Sequence, residues 1–228
     1  MHSVAHRHRT GSHPGSPPKT SGLLLDLGWR YDLMVGAIDL VSGGRLRALR
    51  RQVLDLADLR PGEAVLDVGC GTGTLALEAQ PRVGDAGRVV GIDPAPKQLA
   101  RARAKAAHRG LPLEFRLGVI EALPFPDASF DAALSTLMMH HLPDDLKRRG
   151  LAEIARVLKP GGRLVVADAE HPGHPGQRGH FGAGSLGVRE IAGLMETAGF
   201  ACSDVVVARL LPLLRLGRVG LVVGWRRP

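Results

Sequence analysis

The chain has 228 residues, of which 44% are hydrophobic and 23% charged, and a formal charge of +8. That length suits one α/β domain with a real core, or two very small ones. Two cysteines, Cys70 and Cys202, exclude a disulfide framework and fit a reducing cytoplasm, and no Cys/His spacing resembles a zinc site. The most apolar stretch, LLPLLRLGRVGLVVGW, is broken by Pro212, Arg215 and Arg218, which argues against a transmembrane helix. No apolar run precedes Leu23, as a secretory signal would require. Arg45, Arg47, Arg50 and Arg51 cluster, but basic and aromatic residues do not interleave; the reading is a solvated basic face, not a nucleic-acid surface.

In chain order, residues 1–21 carry His2, His6, His8 and His13 among Ser, Gly and Pro, and are expected to be a disordered tail. Residues 22–59 are expected to form a helical cap, with Leu46, Leu49, Val53, Leu54 and Leu56 at helical spacing. From residue 60 to 228 strands and helices alternate. AVLDVG, RVVGID, LEFRLG, FDAALST and RLVVAD read as strands. TLALEAQ, PKQLARARAKAAHRG, DDLKRRGLAEIARVL and VREIAGLMETAGF read as helices, the third stopped by Pro160, Gly161 and Gly162. A loop over 170–185 holds His171, His174, His180 and Phe181, and the last two strand segments are expected to pair antiparallel through a loop at 210–217. The alternation predicts an α/β, Rossmann-like doubly wound sheet, mostly parallel, with an antiparallel final strand.

In such a sheet ligands bind at the carboxyl ends of the strands. VLDVGCGTG places Gly69, Gly71 and Gly73 directly after the first strand, and Asp93 closes the second, where a carboxylate can accept both hydroxyls of a ribose. A nicotinamide site usually reads G-x-G-x-x-G, but position 74 is Thr74. Asp67 lies in the strand just before the turn, where it would repel a pyrophosphate and attract a cationic amine. The charge pattern favours S-adenosylmethionine, which has adenosine, sulfonium and ammonium but no phosphate.

The stretches VLDVGCGTG, VVGIDPAPKQLARAR, EALPFPDASFDAAL, HHL and EIARVLKPGGRLVVAD follow one another over residues 60–168. On these the chain resembles the class I S-adenosylmethionine-dependent methyltransferases, above all the small-molecule branch that includes the ubiquinone/menaquinone-biosynthesis enzymes. The resemblance implies that Asp67, Gly69, Cys70, Gly71 and Gly73 surround the methionine part of the cofactor. Asp93 would take the ribose and Pro94 pack on the adenine. Ser135 and Thr136 would lie beside the methionine moiety, with Tyr31 approaching from above. One departure stands out. The family often has Gly-Asp-Ala before EALPF, its Asp contacting the adenine amine; here the residues are Gly118, Val119 and Ile120. The Ile120 N–H and the apolar walls of Val119 and Ile120 remain to hold the base. Glu121 is the nearest acid, although its family counterpart usually starts a helix.

Methyl transfer is an in-line displacement that needs alignment and exclusion of water, no metal, and a base only when the acceptor is protonated. His140 and His141 follow the fourth strand and are the candidate catalytic residues; Glu121 and Asp131 read as structural or solvated. Leu23, Leu24, Leu25, Met34, Val35, Ile38, Met138, Met139 and Phe181 suggest a partly apolar small-molecule acceptor. The expected function is methyl transfer from S-adenosylmethionine, with S-adenosylhomocysteine as product. The alternatives are a non-catalytic S-adenosylmethionine-binding protein on the same fold and a nicotinamide-dependent oxidoreductase.

Overall fold

The structure, a computed structural model, describes residues 20, 22, 24–170, 187–209 and 218–228. The histidines of the 1–21 tail, Leu23, the histidines and Phe181 of the 170–185 loop, and the 210–217 loop lie outside the described residues. The elements are α1 (Trp29–Val41), α2 (Arg45–Ala57), β1 (Ala64–Val68), α3 (Thr74–Val83), β2 (Arg88–Asp93), α4 (Pro96–His108), β3 (Glu114–Leu117) and β4 (Phe130–Thr136). A single 3-10 turn, Met139–His141, then leads to α5 (Asp144–Val157), β5 (Leu158–Ala169), α6 (Val188–Thr197), β6 (Phe200–Cys202), β7 (Val206–Arg209) and β8 (Arg218–Arg226).

The sheet runs β3-β2-β1-β4-β5-β8-β6, with β7 also on β8. The first five of these strands are parallel to their neighbours, and β8 enters antiparallel to β5. β6 and β7 share the outer edge of β8, both antiparallel to it. The doubly wound sheet with its antiparallel final strand is therefore as the alternation predicts.

Strand periodicity places alternate residues on opposite faces. Val65, Ala132, Leu134, Val165 and Leu221 pack with α2, α3 and α4. Leu66, Ala133, Leu164, Val166 and Val222 pack with α5 and α6, through Leu151, Ile154, Ile191 and Met195. Both faces are covered, which is why the strands read as continuous apolar runs.

Three details differ from the sequence reading. The expected strand CSDVVVAR divides into β6, which already takes in Phe200 from the expected helix, and β7. α5 ends at Val157, and the strand that follows starts earlier than RLVVAD: Leu158 already pairs with Phe130, and the glycines lie in a register shift before Arg163 meets Ala132. The segment 22–59 also divides. α2 buries Leu46, Leu49, Val53 and Leu54 in the core, whereas α1 buries only Asp39 and exposes Trp29, Leu33, Leu40 and Val41.

Candidate active site

The order β2-β1-β4 places the carboxyl ends of β1 and β4 side by side, with connections leaving in opposite directions. Ligands of such sheets bind at this switch point, and a cleft of about 790 Å³, including its open mouth, lies there. Its wall includes Tyr31, Gly69, Gly71, Asp93, Pro94, Val119, Ile120 and Thr136, eight of the residues expected to touch a cofactor.

The turn after β1 is bound to β2 by its own amides. Gly69 and Cys70 both donate to the Ile92 carbonyl, at 2.8 and 3.1 Å. The Gly71 amide donates to one oxygen of Asp93 at 2.9 Å, and the Ala95 amide to the other, also at 2.9 Å. Asp93 is thus fixed from both sides, and each oxygen keeps a lone pair for a further donor. Burial raises its pKa, the Ala95 and Gly71 amides oppose that shift, and Asp26 adds to it. Gly71, at φ +53°, has only the edge of the Tyr31 ring near where a Cβ would stand, at 3.9 Å. Its bare backbone forms the floor beneath that ring. Burial, then Asp93, push the Tyr31 hydroxyl above its usual range.

Four expected contacts do not line the cleft. Asp67 is 2% exposed and accepts from the Ala76 amide at 3.2 Å, so it anchors the start of α3 from beneath. Cys70 points its sulfur at Gly91, and burial drives its thiol pKa well above the usual range, which leaves it unsuited to act as a nucleophile. Gly73 allows close packing: a Cβ there would stand 2.7 Å from the Phe115 ring and 2.9 Å from Ala102. Ser135 is fully buried.

His141 lies on the cleft wall and His140 behind it, their ring centroids 3.9 Å apart. His140 Nδ1 is 2.6 Å from an oxygen of Asp168, and its amide donates to the other oxygen at 3.2 Å. Burial, then His140, lower the His141 pKa to about 4, with Asp168 opposing, so its ring is neutral at pH 7. Asp168 was not anticipated, although it sits near the carboxyl end of β5 much as Asp93 ends β2, and the same rule would have found it. Gln98 was also missed. It is 2% exposed on the cleft, and an amide in the first turn of an Ala/Arg-rich helix gives no signal of its own.

Of the expected acceptor-pocket residues, Leu24, Leu25 and Met138 line the cleft. Met139 is instead fully buried in the core, Val35 and Ile38 pack against the core, and Met34 faces solvent. Asp131 is structural, accepting from the Ala64 amide and from Lys159. Glu121, read as structural or solvated, lines the cleft with a buried, unpartnered Oε2. Among the described residues no group of three His, Cys, Asp or Glu side chains is placed to hold a metal ion, and no helix is long and apolar enough to cross a membrane.

A glycine turn fixed to a strand-end carboxylate thus lies at the switch point of a Rossmann-like sheet. Residues 65–162 match the model of a methyltransferase domain. The chain is 34% identical over 193 residues to nocamycin O-methyltransferase of Saccharothrix syringae, covering 84% of this chain and 67% of that one. It is 43% identical over 153 residues to demethylmenaquinone methyltransferase of Thermus thermophilus, covering 67% of this chain and 65% of that one. In fold it is similar to the [4+2]-cyclase SpnF, at 24% identity and a TM-score of 0.68, covering 88% and 95% of the two chains. The chain belongs to the class I S-adenosylmethionine-dependent methyltransferases, and is similar to the ubiquinone/menaquinone-biosynthesis enzymes among them. It spans 35% to 65% of the length of several curated relatives, among them a 37.1 kDa protein of a Streptomyces fradiae transposon.

Proposed function

We propose that the chain binds S-adenosylmethionine in this cleft and transfers its methyl group to a small, partly apolar molecule. The observation that carries the reading is Asp93, held by the Gly71 and Ala95 amides with lone pairs to spare for two ribose hydroxyls. When bound, the cofactor supplies a methyl carbon already activated on a sulfonium. Tyr31, Gly69, Gly71, Pro94, Val119, Ile120 and Thr136 would make the other contacts, and the buried Thr136 hydroxyl, which has no partner, fits a polar ligand group. Asp67, Cys70, Gly73 and Ser135 would hold the turn and strand in shape. Residues 22–41 would serve as the cap.

His141 faces the cleft as a neutral imidazole and would orient an acceptor hydroxyl. Asp168, which fixes the His140 ring, would favour any positive charge that develops there, while His140 opposes it. Leu24, Leu25, Met138 and Leu142 supply apolar wall. Relatives named for demethylmenaquinone and for nocamycin O-methylation support a small-molecule acceptor. Because a protein described as a [4+2]-cyclase shares the fold, the reaction rests on the site and must be assayed.

Calorimetry with S-adenosylmethionine, S-adenosylhomocysteine and NADH tests the cofactor, and transfer of a labelled methyl to quinol and phenol acceptors tests catalysis. Both sulfur compounds are expected to bind and NADH not; binding of NADH alone would overturn the proposal. Asp93→Ala is expected to weaken cofactor binding by at least ~tenfold, the loss of charge-assisted hydrogen bonds. Cofactor binding without methyl transfer to any acceptor would favour a non-catalytic binding protein.

A further inference from the structure

Besides the Thr136 hydroxyl, two buried acceptors on the cleft wall have no donor among the described residues. One is Gln98 Oε1, whose own Nε2 donates to the Leu25 carbonyl at 2.9 Å, fixing which way the amide points. The other is Glu121 Oε2, a carboxyl oxygen. Both belong to the β2 and β3 side of the cleft, across the sheet order from Thr136 at the end of β4. The same cleft also offers apolar wall in Ile92, Pro94, Val119, Ile120 and Leu142. A buried acceptor without a donor is costly, and such groups in native proteins usually meet a ligand or water. The complementary ligand edge is flat, apolar on its faces, and rich in N–H groups.

The Glu121 backbone is held in place. A short antiparallel bridge joins Val119 to Ala122 and brings Glu121 to its turn. Glu153 of α5 accepts the Leu123 amide at 2.9 Å, and Arg156 donates to the Leu123 and Phe125 carbonyls at 3.0 and 2.8 Å. We propose that Glu121, with Gln98 beside the same cleft, reads the exocyclic amine of the cofactor's adenine, replacing the acid that Val119 lacks. This rests on the S-adenosylmethionine reading of the site. The acceptor has moved two positions along the chain, and the tight bridge at 119–122 brings it back to the cleft.

The test uses the full chain and calorimetry with S-adenosylhomocysteine and S-inosylhomocysteine, in which an oxygen replaces the amine. Wild type is expected to prefer the adenosyl compound by at least ~tenfold, since a carboxylate would face an oxygen in the other. Glu121→Leu is expected to bind the adenosyl compound at least ~tenfold more weakly and the inosyl compound no worse, so that discrimination collapses. Glu121→Gln, which keeps shape and a carbonyl acceptor, is expected to fall between. Discrimination unchanged in Glu121→Leu, or equal loss of both ligands in both variants, would overturn the assignment while leaving the cofactor reading intact. Wild type that binds neither ligand would overturn the cofactor reading and this assignment with it.

Discussion

Asp67 is a carboxyl group with almost no access to water. Burial pushes its pKa up to about 7, with the Ala76 hydrogen bond working against the shift and Asp93 adding to it. Its folded pKa lies above the ordinary 3.8, so its contribution to stability is full below that value and is lost as pH rises through about 7. His141 has the opposite sign. Its folded pKa, about 4, lies below 6.5, so its contribution is present above 6.5 and is lost as pH falls towards 4. Asp67→Asn keeps an acceptor for Ala76 but does not titrate. Denaturant unfolding should show it gaining on the wild type as pH rises from 4 to 8, and parallel curves would refute the buried carboxyl as the cause. In His141→Asn, the loss of stability between pH 6.5 and 4 should be smaller than in the wild type.

At the scale of elements, two arginines tie helices to the strands and loops that carry the site. Arg163 of β5 donates to both oxygens of Glu63, at 2.9 and 2.7 Å, and caps the end of α2 through the Ala57 and Asp58 carbonyls. Arg163→Met would leave Glu63 and two carbonyls short of donors, and should lower unfolding free energy by about 2 kcal/mol or more. Arg156 clasps the segment after Glu121, so Arg156→Met should weaken cofactor binding with the base-directed pattern of Glu121→Leu, in milder form. These clasps explain what the sequence does and does not disclose. The glycine turn, Asp93 and the strand order follow from local rules, because a tight turn and a strand end carry their own residue signatures. Gln98, Asp168 and the inward turn of Glu121 depend on which elements lie side by side. Asp67 misled for the same reason: its place in the strand was legible, but which way it faced was settled by α3 packing over it.

At the scale of the molecule, the sheet and α2–α6 cohere through apolar burial, while α1 is held mainly by polar contacts. Asp32 accepts from Thr72 and Arg101, each at 2.6 Å, and from Lys105 at 3.2 Å, joining α1 to the glycine turn and to α4. Burial alone would raise the Asp32 carboxyl, but these three partners hold it below its usual value. Arg47 pairs with Asp39 across the two N-terminal helices, and the Lys97 amide donates to Asp26. Added salt weakens exposed ion pairs far more than a buried core. Cofactor release should therefore quicken with ionic strength while the unfolding midpoint hardly moves, and Asp32→Asn should release cofactor ~threefold faster or more at low salt, the loss of one partly screened network. Stopped-flow dissociation would show it, and a salt-independent rate would refute the electrostatic latch. The chain carries its own reporters for such an experiment. Its two tryptophans are Trp29, 58% exposed at the start of α1, and Trp225, 45% exposed on β8 at the far side of the sheet. Emission from Trp29 should follow the movement of α1 while Trp225 gives a steady background, so the motion can be timed by intrinsic fluorescence without attaching a dye.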